Sequence, residues 1–226
     1  MSNLQTWLTF YDTSDIIQLR LLRINKIWSE YMNIYIDFDD TITMSVENVV
    51  RIINHRFDKN IQPTDIAQWD FSDVYPDIPL QDIVKVFGEK EFFETLKLKP
   101  YVITTLRKYI RYNNITIVSK VDAVALKRKN DWIKKHIIDL GIPVKFRGIP
   151  LDKSKGIIDM SNGIMVDDNA KFLNETNAKY KILYKCNRKF DDLQEWHGLT
   201  VSNWKELDNL FNTIITNEKG YTNGKI

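Results

Sequence analysis

Hydrophobic and polar positions follow two rhythms along this chain. Short apolar runs rich in β-branched residues alternate with longer stretches of helical spacing. The runs are Ile34-Tyr35-Ile36, Ile115-Thr116-Ile117-Val118-Ser119, Val144-Lys145-Phe146, Gly163-Ile164-Met165-Val166 and Tyr180-Lys181-Ile182-Leu183-Tyr184. Each suits a buried strand. The helical stretches include one opened by Pro100 and running to about Tyr112, one from about Asp122 to Leu140 closed by Gly141, and one from about Asn203 to Ile215. Proline suits a first helical turn and glycine suits a helix end. Strands alternating with helices predict an α/β fold, a mostly parallel sheet with helices on both faces.

Between the first and second strands the pattern changes. Residues 45–98 hold helical spacing (Val46, Val49, Val50, Ile53, Phe57, then Ile83, Val84, Phe87) broken by loops, and no strand. This predicts a small helical cap inserted after the first strand, with the core made of 32–44 and 99–216. Residues 1–31 precede the first strand. Ile16 to Trp28 fit a short helix with Ser14 or Asp15 as its cap. That helix suits the domain surface, a partner or an interface. Met32 stands where a compact domain could begin, and Trp28-Ser29-Glu30 can be encoded with a purine-rich stretch just before its codon, so Met32 is expected to be a start and 1–31 dispensable. Residues 217–226 read as a polar, frayed tail.

Composition narrows the class. The chain has 226 residues with 27% charged and 43% hydrophobic, as a soluble globular protein would. A net charge of +2 gives no electrostatic case for nucleic acid. The lone Cys186 forbids an intrachain disulfide and suits a reducing, cytoplasmic setting. Three histidines and one cysteine offer little for structural zinc. No apolar run is long enough to span a bilayer. A homodimer is compatible with this composition.

The strand ends carry the chemistry. The first ends in Asp37-Phe38-Asp39-Asp40-Thr41, the second in Ser119-Lys120, and the fourth in Asp167-Asp168. Lys153 and Lys155 follow the third. Open α/β sheets bind ligands at the carboxyl ends of their strands. A phosphoryl-transfer site needs a nucleophile, an acid/base, cations for the phosphate oxygens and a carboxylate-held metal. Taken singly, each group has an ordinary use: Ser119 or Asp167-Asp168 as a helix cap, a lysine as a solvated loop residue. Together, on successive strand ends, they predict a phosphatase site.

This constellation resembles the haloacid dehalogenase (HAD) superfamily, with Asp37-Phe38-Asp39-Asp40-Thr41, Ser119, Lys153 and Asp167-Asp168 as its four motifs. Within it the chain resembles the 5′(3′)-deoxyribonucleotidases of the cytosolic type C. That likeness rests on Glu89 to Leu96 with Leu98-Lys99-Pro100, Ile117-Val118-Ser119, Lys127 to Lys135, Asp152-Lys153-Ser154, Met165 to Asp168, and Asn54, Asp65-Ile66 and Trp69-Asp70. It implies a HAD-like Rossmannoid sheet, Asp37 as nucleophile and Asp39 as acid/base. It implies Mg²⁺ at Asp37, Asp39 (through its carbonyl), and Asp167 or Asp168. The phosphate would be held by Thr41, Ser119, Lys120 and Lys153, with Lys155 as the alternative lysine. A nucleoside monophosphate is the implied substrate, its base stacking on Trp69, Phe71, Phe92 or Phe93 unless these form the cap's own core. Two departures stand out: Asp40-Thr41 where many members carry Gly-Val, and Lys120 where some carry proline. The alternatives are a phosphatase for another small phosphoester, such as a sugar phosphate, and a catalytically silent binding protein. Retention of both Asp37 and Asp39 speaks against the second.

Overall fold

The structure, a computed structural model, describes residues 32–223. The expectations for residues 1–31, including a start at Met32, lie outside the described residues. Among the described residues six parallel strands form one sheet in the order β3-β2-β1-β4-β5-β6. They are β1 (Asn33–Asp37), β2 (Asn114–Val121), β3 (Lys145–Pro150), β4 (Gly163–Asp167), β5 (Tyr180–Tyr184) and β6 (Leu199–Val201). β1 lies at the centre, and the connections leave it in opposite directions, so the switch point falls beside its carboxyl end.

The period of two along each strand sorts side chains onto two faces. Ile34, Ile36, Ile115, Ile117, Ile164, Val166 and Ile182 join the larger core, while Val118, Met165 and Leu183 join a smaller one on the other side. Ile36 pairs with Val166. Asp37 and Asp167 each come one residue later, so both carboxylates project to the smaller-core face.

Between Thr43 and Leu98 all regular elements are helical: α1 (Ser45–Phe57), a 3₁₀ turn at Pro63–Asp65, α2 (Leu80–Val86) and α3 (Lys90–Thr95). The two stems of this insert are pinned side by side. Thr43 bridges Leu98, Met44 N–H donates to Lys97 O at 2.9 Å, and Lys99 N–H donates to Ile42 O at 2.9 Å. Its apolar residues (Ile66, Phe71, Tyr75, Ile83, Phe92) belong to the larger core rather than to one of their own. The insert is thus anchored through burial as well as through its stems.

The remaining helices are α4 (Val102–Tyr109), α5 (Ala123–His136), α6 (Ala170–Glu175), α7 (Lys189–Leu193) and α8 (Trp204–Asn223). Several boundaries differ from expectation. α4 starts at Val102 because Tyr101 takes a left-handed φ of 68°, which no helix can include. α5 stops at His136 and tightens into a 3₁₀ turn before Gly141 at φ 80°. β3 runs on to Pro150. β6 is short, at the sheet edge and mostly exposed, so its residues carry no alternation to read. α8 continues to Asn223, through residues 217–223 that read as frayed tail.

Candidate active site

Asp37 ends β1 and is 6% exposed. Beyond it the chain turns sharply. Asp40 takes φ 54°, Thr41 N–H donates to Asp39 O at 2.7 Å, and Thr43 N–H reaches back to Phe38 O at 3.2 Å. This turn leaves Asp39 beside Asp37 at the sheet's carboxyl edge.

Both oxygens of Asp39 are occupied. Ser45 Oγ donates to Oδ1 at 2.8 Å, and Ser45 is itself hydrogen-bonded to Thr43 Oγ1 at 2.8 Å. Lys129 Nζ ion-pairs with Oδ2 and also donates to Ser119 Oγ at 2.8 Å. Lys129 is 3% exposed and stands on the buried face of α5 with Ala125, Trp132 and Ile133. Its signal in the sequence was a lysine at helical spacing among apolar residues, a pattern that calls for a buried partner.

Lys155, not Lys153, enters the carboxylate cluster. Its Nζ ion-pairs with Asp37 Oδ1 and with Asp167 Oδ2, the latter at 2.6 Å, and it is 1% exposed. Ser154 caps the 3₁₀ turn Lys155–Ile157, and a Cβ on Gly156 would run into the carbonyl of Glu175, so the loop packs closely and drives Lys155 inward. Lys153 points to solvent beside Asp152. The expectation for Lys153 is corrected: two residues along a tight turn reverse the side-chain direction.

Burial sets the charge states. It pushes the Asp37 carboxyl up to about 7, against the pull of Lys155, with Asp167 and Asp39 adding to the rise. Burial likewise raises Asp167 against Lys155, and raises Asp168 well above the carboxylate range against Arg188. Burial opposes the Lys155 ammonium, but Asp167 and Asp37 outweigh it and hold its pKa above the ordinary lysine value.

Asp37, Asp167 and Asp168 are all buried and offer oxygens within 4.8 Å of one another. All-oxygen, carboxylate-rich donors suit a hard divalent cation such as Mg²⁺. Lys129, Lys155 and Arg188 pair with Asp39, Asp37, Asp167, Asp40 and Asp168. A bound divalent cation would favour the ionised forms that burial opposes at Asp37, Asp167 and Asp168. The Asp39 side chain is taken up by Ser45 and Lys129 and is not in the cluster.

A cavity of about 450 Å³ opens above these groups, within the range of small-molecule sites. Asp37, Asp39, Ser119, Lys129 and Lys155 line its floor; Trp69, Phe71, Ile83, Phe87 and, from α7, Phe190 line its apolar walls. Lys120 also lines it, with its ammonium 5.3 Å from the ring centre of Phe172. Trp69 is 44% exposed and tilts against Phe190, ring centres 5.6 Å apart.

Three expected contacts are not brought to the cavity. Phe92 is fully buried and packs on Phe87 at 5.5 Å and on Phe93 at 5.1 Å, so it serves the core. Phe93 packs against that core and does not line the cavity. Thr41 is fully buried, and its carbonyl accepts from Trp204 Nε1 at 2.9 Å; the left-handed turn at Asp40 carries it inward. Arg188 and Phe190 lie on a short helix and the loop before it, with no periodic pattern to mark them.

Residues 31–217 match the family described as 5′ nucleotidase, deoxy (pyrimidine), cytosolic type C. No curated protein matches the chain significantly. Among solved structures, a predicted phosphatase from Clostridium acetobutylicum superposes with a TM-score of 0.56 at 13% identity, covering 81% of this chain and 99% of that one. A haloacid dehalogenase-like hydrolase from Streptococcus pneumoniae superposes with 0.52 at 12% identity, covering 80% and 99%. At such identities the likeness speaks for the fold.

Proposed function

We propose that this chain, which belongs to the cytosolic type C 5′(deoxy)nucleotidase family and is therefore a HAD-type phosphomonoesterase, hydrolyses (deoxy)nucleoside monophosphates in the cytoplasm with Mg²⁺ as cofactor. The observation that carries the reading is the stacking of two layers in one cavity. Paired carboxylates and buried lysines form the floor, and aromatic walls rise above it. The floor suits a phosphate, and the walls suit a flat base.

In this reading Asp37 attacks phosphorus and forms an aspartyl-phosphate as the bond to the nucleoside oxygen breaks. Asp39 gives its proton to that oxygen. It then takes one from the water that attacks the aspartyl-phosphate, which returns Asp37 and releases phosphate. Ser119, Lys120 and Lys155 face the phosphate oxygens. Lys129 is shared between Asp39 and Ser119. An arriving phosphate at Ser119 offers it a second anion and loosens its hold on Asp39. Asp37, Asp167 and Asp168 would hold Mg²⁺, which when bound draws charge from the phosphate and offsets its repulsion by the aspartates.

Phosphate release from a panel of nucleoside monophosphates and sugar phosphates, with Mg²⁺ and with EDTA, tests this. Release concentrated on nucleotides and lost in EDTA is expected. Release from sugar phosphates alone would discard the nucleotide and keep the floor chemistry.

A further inference from the structure

We infer that Arg188 is a positioning residue for the metal cluster, holding Asp168 in place and answering the charge of Asp40. This rests on the reading of Asp37, Asp167 and Asp168 as the Mg²⁺ site. The guanidinium forks between two loops. Nη1 donates to Asp40 Oδ2 at 2.9 Å, and Nη2 to Asp168 Oδ2 at 3.0 Å. All three residues are 5% exposed or less.

Asp40 is an unusual occupant of its position. A φ of 54° favours glycine, and a carboxylate there adds a charge to an already acidic edge. Its Oδ1 accepts Val46 N–H of α1 at 3.0 Å, so the side chain is fixed and cannot turn to solvent. Arg188 is its ion-paired partner, with the Lys99 ammonium acting on it from farther off, and the Arg188 backbone is fixed in turn. Asp191 Oδ2 accepts both Cys186 N–H and Arg188 N–H at 2.8 Å. Cys186 Sγ donates to Asp40 O at 3.1 Å. The loop after β5 is thereby fastened to the turn after β1, with the fork between them.

Geometry and plain charge predict opposite signs. If Arg188 were only a nearby cation, its removal would tighten Mg²⁺ binding, because two like charges would no longer face each other. If the fork positions Asp168, removal frees its side chain and leaves it facing Asp40 without the guanidinium between them when it ionises to take the metal, which weakens the cluster. Loss of an outer partner of a metal ligand ordinarily weakens metal affinity about 10- to 100-fold. A lysine has one ammonium and cannot reproduce the fork.

The test is calorimetric titration of the substrate-free full chain with Mg²⁺, beside thermal unfolding. R188A and R188K are each expected to bind Mg²⁺ at least about 10-fold more weakly than wild type. Adding D40N to R188A is expected to recover part of that loss, since the unanswered charge is gone. Unchanged or tighter binding in R188A overturns the inference. Should R188A fail to fold, R188K decides: wild-type affinity there overturns it. No recovery in the double variant overturns the part assigned to Asp40. Wild-type protein that binds no Mg²⁺ would instead overturn the metal-site reading on which the inference rests.

Discussion

Replacing Lys155 by Met, beside the same change at Lys153, separates two lysines that stand two positions apart. Lys155 is 1% exposed between Asp37 and Asp167. Breaking a buried ion pair by removing one partner costs about 3–5 kcal/mol. The cost here belongs at the low end. The Asp37 carboxyl already stands at about 7, so near neutral pH it takes up a proton with little further penalty. About 3 kcal/mol in a domain of this size lowers the melting temperature by roughly 6–12 °C. The rate suffers separately. Loss of one charged donor at a transition state costs about 10²- to 10³-fold in kcat, and a protonated Asp37 is no nucleophile. Lys153→Met removes an exposed pair with Asp152 worth at most about 1 kcal/mol. Its melting temperature and rate should stay near wild type. Thermal unfolding and phosphate release on the three proteins decide it. A Lys155→Met protein that melts and turns over like wild type would refute the reasoning, as would equal damage from Lys153→Met.

Three further outcomes follow from the same geometry. The raised Asp37 carboxyl means the folded chain keeps a proton that the unfolded chain releases near pH 3.8. Metal-free stability should therefore fall as pH rises from about 4 through about 7, and Asp37→Asn should flatten that fall in a series of melting curves. Trp69→Ala removes an exposed cavity wall; a stacked base is worth about 1–3 kcal/mol, so the KM for a nucleotide should rise roughly 5- to 150-fold. Hydrolysis of a phosphoester without a base should change little, and an equal loss on both substrates would remove Trp69 from base contact. Phe92→Ala empties a fully buried site and should cost about 3–5 kcal/mol in denaturant unfolding with KM nearly unchanged.

β1, β2, β4 and β5 were legible because they are apolar, largely buried runs bounded by turns. The carboxylates were legible because they end those runs, and the strand end alone fixes where Asp37 and Asp167 point. What the sequence hid depends on local turns and on long-range partners. Lys153 and Lys155 look alike in one dimension; the 3₁₀ turn and the close packing at Gly156 choose between them. Thr41 reads as part of a motif, yet the left-handed residue before it sends it into the core. Phe92 and Trp69 are both cap aromatics, and only packing tells wall from core. Arg188 is 148 residues from Asp40, and no local pattern announces their pairing.

The measurement closest to the heart of the mechanism is acid-quenched mass spectrometry of Asp39→Asn protein after reaction with p-nitrophenyl phosphate and Mg²⁺. Nitrophenolate leaves without a proton donor, so on the proposed mechanism attack by Asp37 should still proceed, while the second step should lack its base and stall. One phosphoryl group should accumulate on the peptide that contains Asp37 and vanish when Asp37→Asn is added. A phosphoryl group on any other residue, or phosphate release that survives Asp37→Asn, would contradict an aspartyl-phosphate at Asp37.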